Sequence, residues 1–103
     1  MDKPESKRVH IKVEGHVQGV GFRQFVFKTA VNLDLTGWVR NTFEGDVEVV
    51  AEGEPAVLDN LISALHKGPR MAYVTNVKFA FQPANGEFPD FRVRATDLCA
   101  FSG

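Results

Sequence analysis

The sequence is short of several things, and each shortage excludes something. It holds one cysteine, Cys99, so no intrachain disulfide can form and nothing points to an oxidising compartment. Its apolar runs fall far short of the roughly 20 residues that span a membrane. The start, Met1 to Arg8, is polar and lacks the apolar centre of a signal peptide. A cytoplasmic protein with no membrane partner is expected. There is also no excess of one charge. A formal net charge of -1 gives no basic surface for a nucleic-acid backbone. His10, His16 and His66 are scattered without metal-ligand spacing, so no metal and no cofactor are expected. Repeats and low-complexity segments are lacking as well.

What is present is an ordinary globular chain. Its 103 residues make one domain, with 44% apolar and 24% charged residues. A chain of this size buries roughly two-thirds of its unfolded surface. Nine phenylalanines against one tyrosine and one tryptophan point to an aromatic-rich core.

Hydrophobic spacing gives the order of elements. Val9, Ile11 and Val13 alternate with His10, Lys12 and Glu14, a strand with one buried face. From Phe22 the period becomes helical, with Phe22, Phe25, Val26, Ala30 and Leu33 on one stripe. Thr36 to Arg40 reads as a second strand. Asn41 to Asp46 carries turn residues and leads by a hairpin into Val47, Val49 and Ala51. Glu48 and Glu52 share the other face of that third strand, read as solvated. Pro55 suits a first helical turn. Leu58, Leu61, Ile62 and Leu65 give the second helix, stopped by Gly68-Pro69. Val77, Phe79 and Phe81 alternate in a fourth strand, with both phenylalanines expected in the core. Phe91 to Arg94 adds a short edge strand, with Phe91 also in the core. The result is an α+β, ferredoxin-like α/β sandwich: βαββαβ, an antiparallel sheet with two helices on one face, plus the short edge strand. Residues 1–8 form a polar extension, 9–95 the domain, and 96–103 a loose tail. Cys99, in that tail, has no histidine partner nearby in sequence and is not a catalytic candidate.

One stretch stands apart. Gly15-His16-Val17-Gln18-Gly19-Val20-Gly21-Phe22-Arg23 joins the first strand to the first helix. Glycines at such a turn let the backbone approach a ligand, and the free N–H groups there attract an anion. Arg23, in the first helical turn, can fork onto two oxygens of a phosphate. Glycine-rich turns also occur without ligands. The stretch is no Walker loop, since no Lys-Ser/Thr follows. Glycine spacing and an antiparallel sheet exclude a dinucleotide fingerprint.

"GHVQGVGFR" resembles the signature loop of the acylphosphatase family, G-x-V-Q-G-V-G-F-R. A second family motif, G-W-V-R-N, is matched by Gly37-Trp38-Val39-Arg40-Asn41, and a third by Gly45-Asp46-Val47-Glu48. Gly68-Pro69 with Ala72, Val74 and Val77 resembles the family's entry to its fourth strand. The similarity runs from about Val9 to Val93. It implies hydrolysis of acyl phosphates to a carboxylate and inorganic phosphate, without a metal or a covalent enzyme intermediate. Arg23 carries over as the phosphate-binding arginine and Asn41 as the holder of the attacking water. The amides of residues 16 to 21 carry over as the phosphate cradle, the loop opening at Gly15.

The residues make chemical sense of that reaction. The leaving carboxylate is stable without a proton, so no general acid is required. Phosphoryl transfer rests on positioning and charge stabilisation. The amide of Asn41 can both accept and donate a hydrogen bond and so orient water. Val39 and Asn41 share one strand face, Trp38 and Arg40 the other, and Asn41 is expected to face the loop. Two other readings use the same loop: an anion-binding module without turnover, and a relative that processes carbamoyl phosphate. A third, base stacking on Trp38, Phe43, Phe79, Phe81 and Phe91, lacks the aromatic RNA motif and a basic chain. The expected partners are a small acyl phosphate and phosphate, with the protein a monomer.

Overall fold

The alternation in the first strand sets the sheet. Val9, Ile11 and Val13 are fully buried while His10 between them is exposed. The computed structural model describes residues 5–96. In them β1 (Lys7–His16), α1 (Phe22–Asn32), β2 (Thr36–Asn41), β3 (Val47–Gly53), α2 (Pro55–Lys67), β4 (Tyr73–Pro83) and β5 (Phe91–Val93) follow one another. The five strands form one sheet in the order β4-β1-β3-β2-β5. β1 begins at Lys7, so Lys7 and Arg8, assigned by sequence to the polar extension, belong to the sheet. The tail expected to be loose, with Cys99, lies mostly outside the described residues.

Both helices bury the stripes their spacing predicts. In α1 these are Phe22, Val26 and Ala30, with Phe25 and Leu33 partly buried beside them. In α2 they are Leu58, Leu61, Ile62 and Leu65. Pro55 opens α2, where its missing N–H has no intrahelical acceptor to lose. Gly68 ends it by donating its N–H to the Ala64 carbonyl at 2.9 Å. Each fully buried leucine or phenylalanine contributes about 1.5–3 kcal/mol by leaving water. These side chains meet Val9, Ile11, Val13, Val39, Val49 and Ala51 from the sheet.

Three expectations need correction. β4, β1, β3 and β2 pair antiparallel as expected, but the short edge strand makes the sheet mixed: β5 runs parallel to β2, pairing Gly37 with Phe91 and Val39 with Val93. β4 occupies one edge and β5 the other, so residues 84–90 must cross the sheet before β5 can start. That crossing also explains the second correction. Glu52, read as solvated, is only 6% exposed. Its carboxylate accepts from the Arg8 guanidinium at 2.7 Å and from the N–H groups of Asn85 and Gly86 at 3.2 and 3.1 Å. The crossing segment thus covers Glu52 and satisfies it. Third, Phe79 and Phe81 are not core: they are 48% and 42% exposed. They stand on the helix side of the sheet, opposite Ile11 and Val9, but β4 is the edge strand. Their rings pack on each other edge to face at 6.0 Å. Phe91, by contrast, is buried as expected.

Candidate active site

The turn from β1 to α1 and the end of the β2–β3 hairpin meet at one end of the sandwich. The three glycines of the loop do different work there. Gly15 sits in β1 at an irregularity in the ladder, paired with Val74, with φ at 128°. A Cβ at this position would lie 2.2 Å from the Tyr73 carbonyl oxygen, so no side chain fits. Gly19 and Gly21 also have positive φ, 75° and 78°, yet nothing lies within 4 Å of a Cβ at either one. Gly15 serves strand packing; Gly19 and Gly21 bend the backbone around open space.

That space is a cavity of about 130 Å³ lined by Val17, Gly19, Gly21, Phe22, Arg23, Gln24 and Asn41. Gly21 caps α1, and its carbonyl accepts the first helical bond, from the Phe25 N–H at 3.0 Å. The amides of Gly21, Phe22, Arg23 and Gln24 are therefore left without intrahelical acceptors. They and the helix dipole give this end of α1 a positive character. Arg23 adds a full charge. Its Nη1 reaches the Arg94 carbonyl at 3.4 Å, and among the described residues it has no carboxylate partner. Neither carboxylate nor histidine is among the lining residues.

Asn41, the last residue of β2, enters the cavity from the opposite element because it shares a strand face with the buried Val39. Val17 and Phe22, both 1% exposed, pin the loop to the core on either side of its glycines. Gln18 does something else. Its side-chain Nε2 donates to the Thr42 carbonyl at 2.9 Å and to the Asp46 carbonyl at 2.8 Å. These two residues close the β2–β3 turn on each other, Thr42 N–H to Asp46 O at 2.9 Å and Asp46 N–H to Thr42 Oγ1 at 3.1 Å.

Of the residues singled out by sequence, the structure brings Val17, Gly19, Gly21, Arg23 and Asn41 together around the cavity. Gly15 and His16 instead pair with Val74 and Tyr73 at the end of β1. Val20 is partly buried against the core. Two features escaped the sequence reading. Gln24 lines the cavity, and its place in the first helical turn was the available signal. The side-chain role of Gln18 had none, because its acceptors are backbone atoms 24 and 28 residues away.

Away from this site, the open face of the sheet carries charge networks. The Glu48 carboxylate receives His10 Nε2 at 2.5 Å and Arg40 Nε at 2.8 Å. Burial pushes its carboxyl up, but the hydrogen bonds and charges of His10 and Arg40 outweigh this and hold it below the usual carboxylate range. The guanidinium groups of Arg40 and Arg94 each lie 4.8 Å from the Trp38 ring, which accounts for that aromatic without base stacking. No described helix is long and apolar enough to cross a membrane.

Fold and site together define a small ferredoxin-like α+β sandwich with a cationic, carboxylate-free cavity at its first strand-to-helix turn. The acylphosphatase family model matches residues 9–93. An acylphosphatase from Salinibacter ruber is 47% identical over 94 residues, which cover 91% of this chain and 99% of that one. The solved acylphosphatase of Bacillus subtilis is similar with a TM-score of 0.83 at 34% identity, over 85% of this chain and 98% of that one. For the acylphosphatase of Coxiella burnetii the TM-score is 0.81 at 44% identity, over 87% and 94%. The chain belongs to the acylphosphatase family, whose members are hydrolases.

Proposed function

We propose that this protein hydrolyses acyl phosphates to a carboxylate and inorganic phosphate by direct attack of water on phosphorus, with Arg23 and Asn41 as its catalytic residues. The observation that carries this reading is the meeting of Arg23 and Asn41 with Gly19 and Gly21 around one cavity. The phosphate of the substrate docks against the loop amides of residues 16 to 21 and the free amides at the head of α1. Arg23 binds two of its oxygens and neutralises the charge gathered on them. The Oδ1 of Asn41 accepts a hydrogen bond from a water and aims its lone pair at phosphorus. The new O–P bond forms as the bond from phosphorus to the acyl oxygen breaks. The bonding electrons leave with the carboxylate, and the water's proton passes to phosphate or solvent.

The carboxylate departs without protonation, so the reading needs neither a general acid nor a metal. It matches a cavity lined by an arginine and amides rather than by histidine or carboxylates. A cytoplasmic monomer acting on small molecules completes the proposal, with residues 9–95 as the working unit. The near-neutral net charge supports small-molecule rather than nucleic-acid partners.

The experiment is hydrolysis of benzoyl phosphate with chelator present, for the wild type beside Arg23→Ala. Turnover that survives chelation and is lost in the variant supports both reaction and site. Phosphate binding without turnover would replace the enzyme by an anion-binding module. Equal turnover in both proteins would remove Arg23 from the mechanism.

A further inference from the structure

We propose that Gln18 is a positioning residue, whose side chain sets the distance between the phosphate cradle and Asn41. The inference rests on the reaction proposed above. Arg23 and the loop amides stand on the β1–α1 turn, whereas Asn41 stands on the β2–β3 hairpin. In-line attack requires these two parts to hold a fixed separation, and a displacement of about 1 Å can lower a rate by about 100-fold. β2 and β1 are not neighbours in the sheet. The hairpin is laddered to β1 through β3, and that ladder ends at the pair Val13–Val47, short of the loop that follows β1, so the loop needs a tie of its own to the β2–β3 turn.

Gln18 makes that tie. One amide nitrogen has two hydrogens, and both are used, one on the Thr42 carbonyl and one on the Asp46 carbonyl. The two acceptors are the ends of the turn, and Thr42 follows Asn41 directly in the chain. Thr42 is 7% exposed and its hydroxyl and carbonyl both accept bonds from within the turn, so the turn moves as a unit. The cradle has its own anchors in Val17 and Phe22, both buried. Loss of the Gln18 side chain therefore loosens the turn that follows Asn41 against the loop, while the β1–β3 ladder holds the strands and the cradle stays in place. Phosphate binding and water positioning separate at this residue.

Three proteins test this: wild type, Gln18→Leu and Gln18→Glu. Each is checked for cooperative thermal unfolding and assayed well below its Tm. The readouts are kcat and KM for benzoyl phosphate and competitive inhibition by inorganic phosphate. Gln18→Leu is expected to lose about 10- to 100-fold in kcat, as outer supporting residues commonly do, with phosphate inhibition within about 3-fold of wild type. Gln18→Glu sets an ionised carboxylate against two carbonyl oxygens near neutrality. Once protonated, it regains one O–H donor. Its kcat relative to wild type is therefore expected to rise as pH falls through the carboxyl titration, while that of Gln18→Leu stays level. Other charged groups around this junction are Glu44 and Asp46 on the turn, Lys12 from β1 at 3.9 and 3.8 Å from them, and Arg23 at the head of α1. All are shared by the three proteins, so their own titrations cancel in the ratios, and their effect on the new carboxylate only moves the pH at which the Gln18→Glu ratio rises.

Wild-type kcat in Gln18→Leu would overturn the inference, as would parallel loss of phosphate inhibition and kcat. If Gln18→Leu does not fold, the pH ratio of Gln18→Glu decides, and a flat ratio overturns it. An inactive wild type would instead overturn the proposed reaction, which keeps the two failures distinct.

Discussion

Arg23 and Asn41 line the same cavity of about 130 Å³ although one stands in the first turn of α1 and the other closes β2. Arg23 brings a guanidinium that has no carboxylate partner among the described residues, and Asn41 brings an uncharged amide with one acceptor and one donor group. The two should therefore fail in different ways when removed. Arg23→Ala is expected to weaken inorganic phosphate as a competitive inhibitor by about 10- to 100-fold, since hydrogen bonds to charged groups contribute about 1.5–3 kcal/mol. Turnover should fall with it. Phosphate inhibition measured beside steady-state kinetics checks this, and unchanged inhibition would remove Arg23 from the phosphate site.

Asn41→Ala should leave phosphate inhibition near the wild-type value and lower kcat by about 100-fold, the scale seen when one fixed polar group is lost from a reacting centre. Full kcat in this variant would end the water-positioning role.

The glycines give a stability comparison. Gly15→Ala forces a Cβ onto the Tyr73 carbonyl and should destabilise by about 2 kcal/mol or more, as a clash and a strained backbone combine. Gly21→Ala meets no atom, so only its left-handed backbone is penalised, about 1–2 kcal/mol. Urea unfolding ranks the two, and the reverse order would contradict the packing described for Gly15.

Glu48 makes stability depend on pH. Its carboxyl is held below the usual range in the folded protein by His10 and Arg40, against the opposing push of burial. The native state thus binds this proton less readily than the unfolded chain. The resulting stabilisation is present above the ordinary carboxylate range and disappears as pH falls through the lowered folded value. Glu48→Gln should lose less stability than wild type over that acidic interval. Chemical unfolding at a series of pH values measures it, and parallel curves would show that Glu48 adds nothing.

Phe79 and Phe22 test where the core ends. Phe22→Ala should cost about 3–5 kcal/mol, as deletion of a fully buried ring does. Phe79→Ala, on a half-exposed edge position, should cost less than about 1.5 kcal/mol. Equal losses would mean that Phe79 is buried in solution.

The apolar stripe of α2 and the alternation of β1 were legible because each element's period alone says which face must leave water. The cavity was legible because the loop and Arg23 are contiguous, and Asn41 follows from strand parity once Val39 is known to be buried. Parity failed for Phe79 and Phe81. It assigns a side chain to a face, and only the position of β4 at the sheet edge leaves these two rings half-exposed on that face. Glu52 failed for the opposite reason: its face was read correctly, but residues 84–90 fold across it and supply the donors that let a carboxylate be buried.

By itself, then, the sequence determined the elements, the buried stripes of the helices and of β1, and the loop that borders the cavity, since these depend on local spacing and on backbone conformations that glycine permits. Tertiary structure alone decided the parallel pairing of β5, the burial of Glu52, the exposure at the edge of β4 and the Gln18 bridge to Thr42 and Asp46. Each of those depends on which segments become neighbours across the sheet. Such contacts join residues far apart in the chain and often use backbone atoms, which every residue carries and no side-chain pattern reveals.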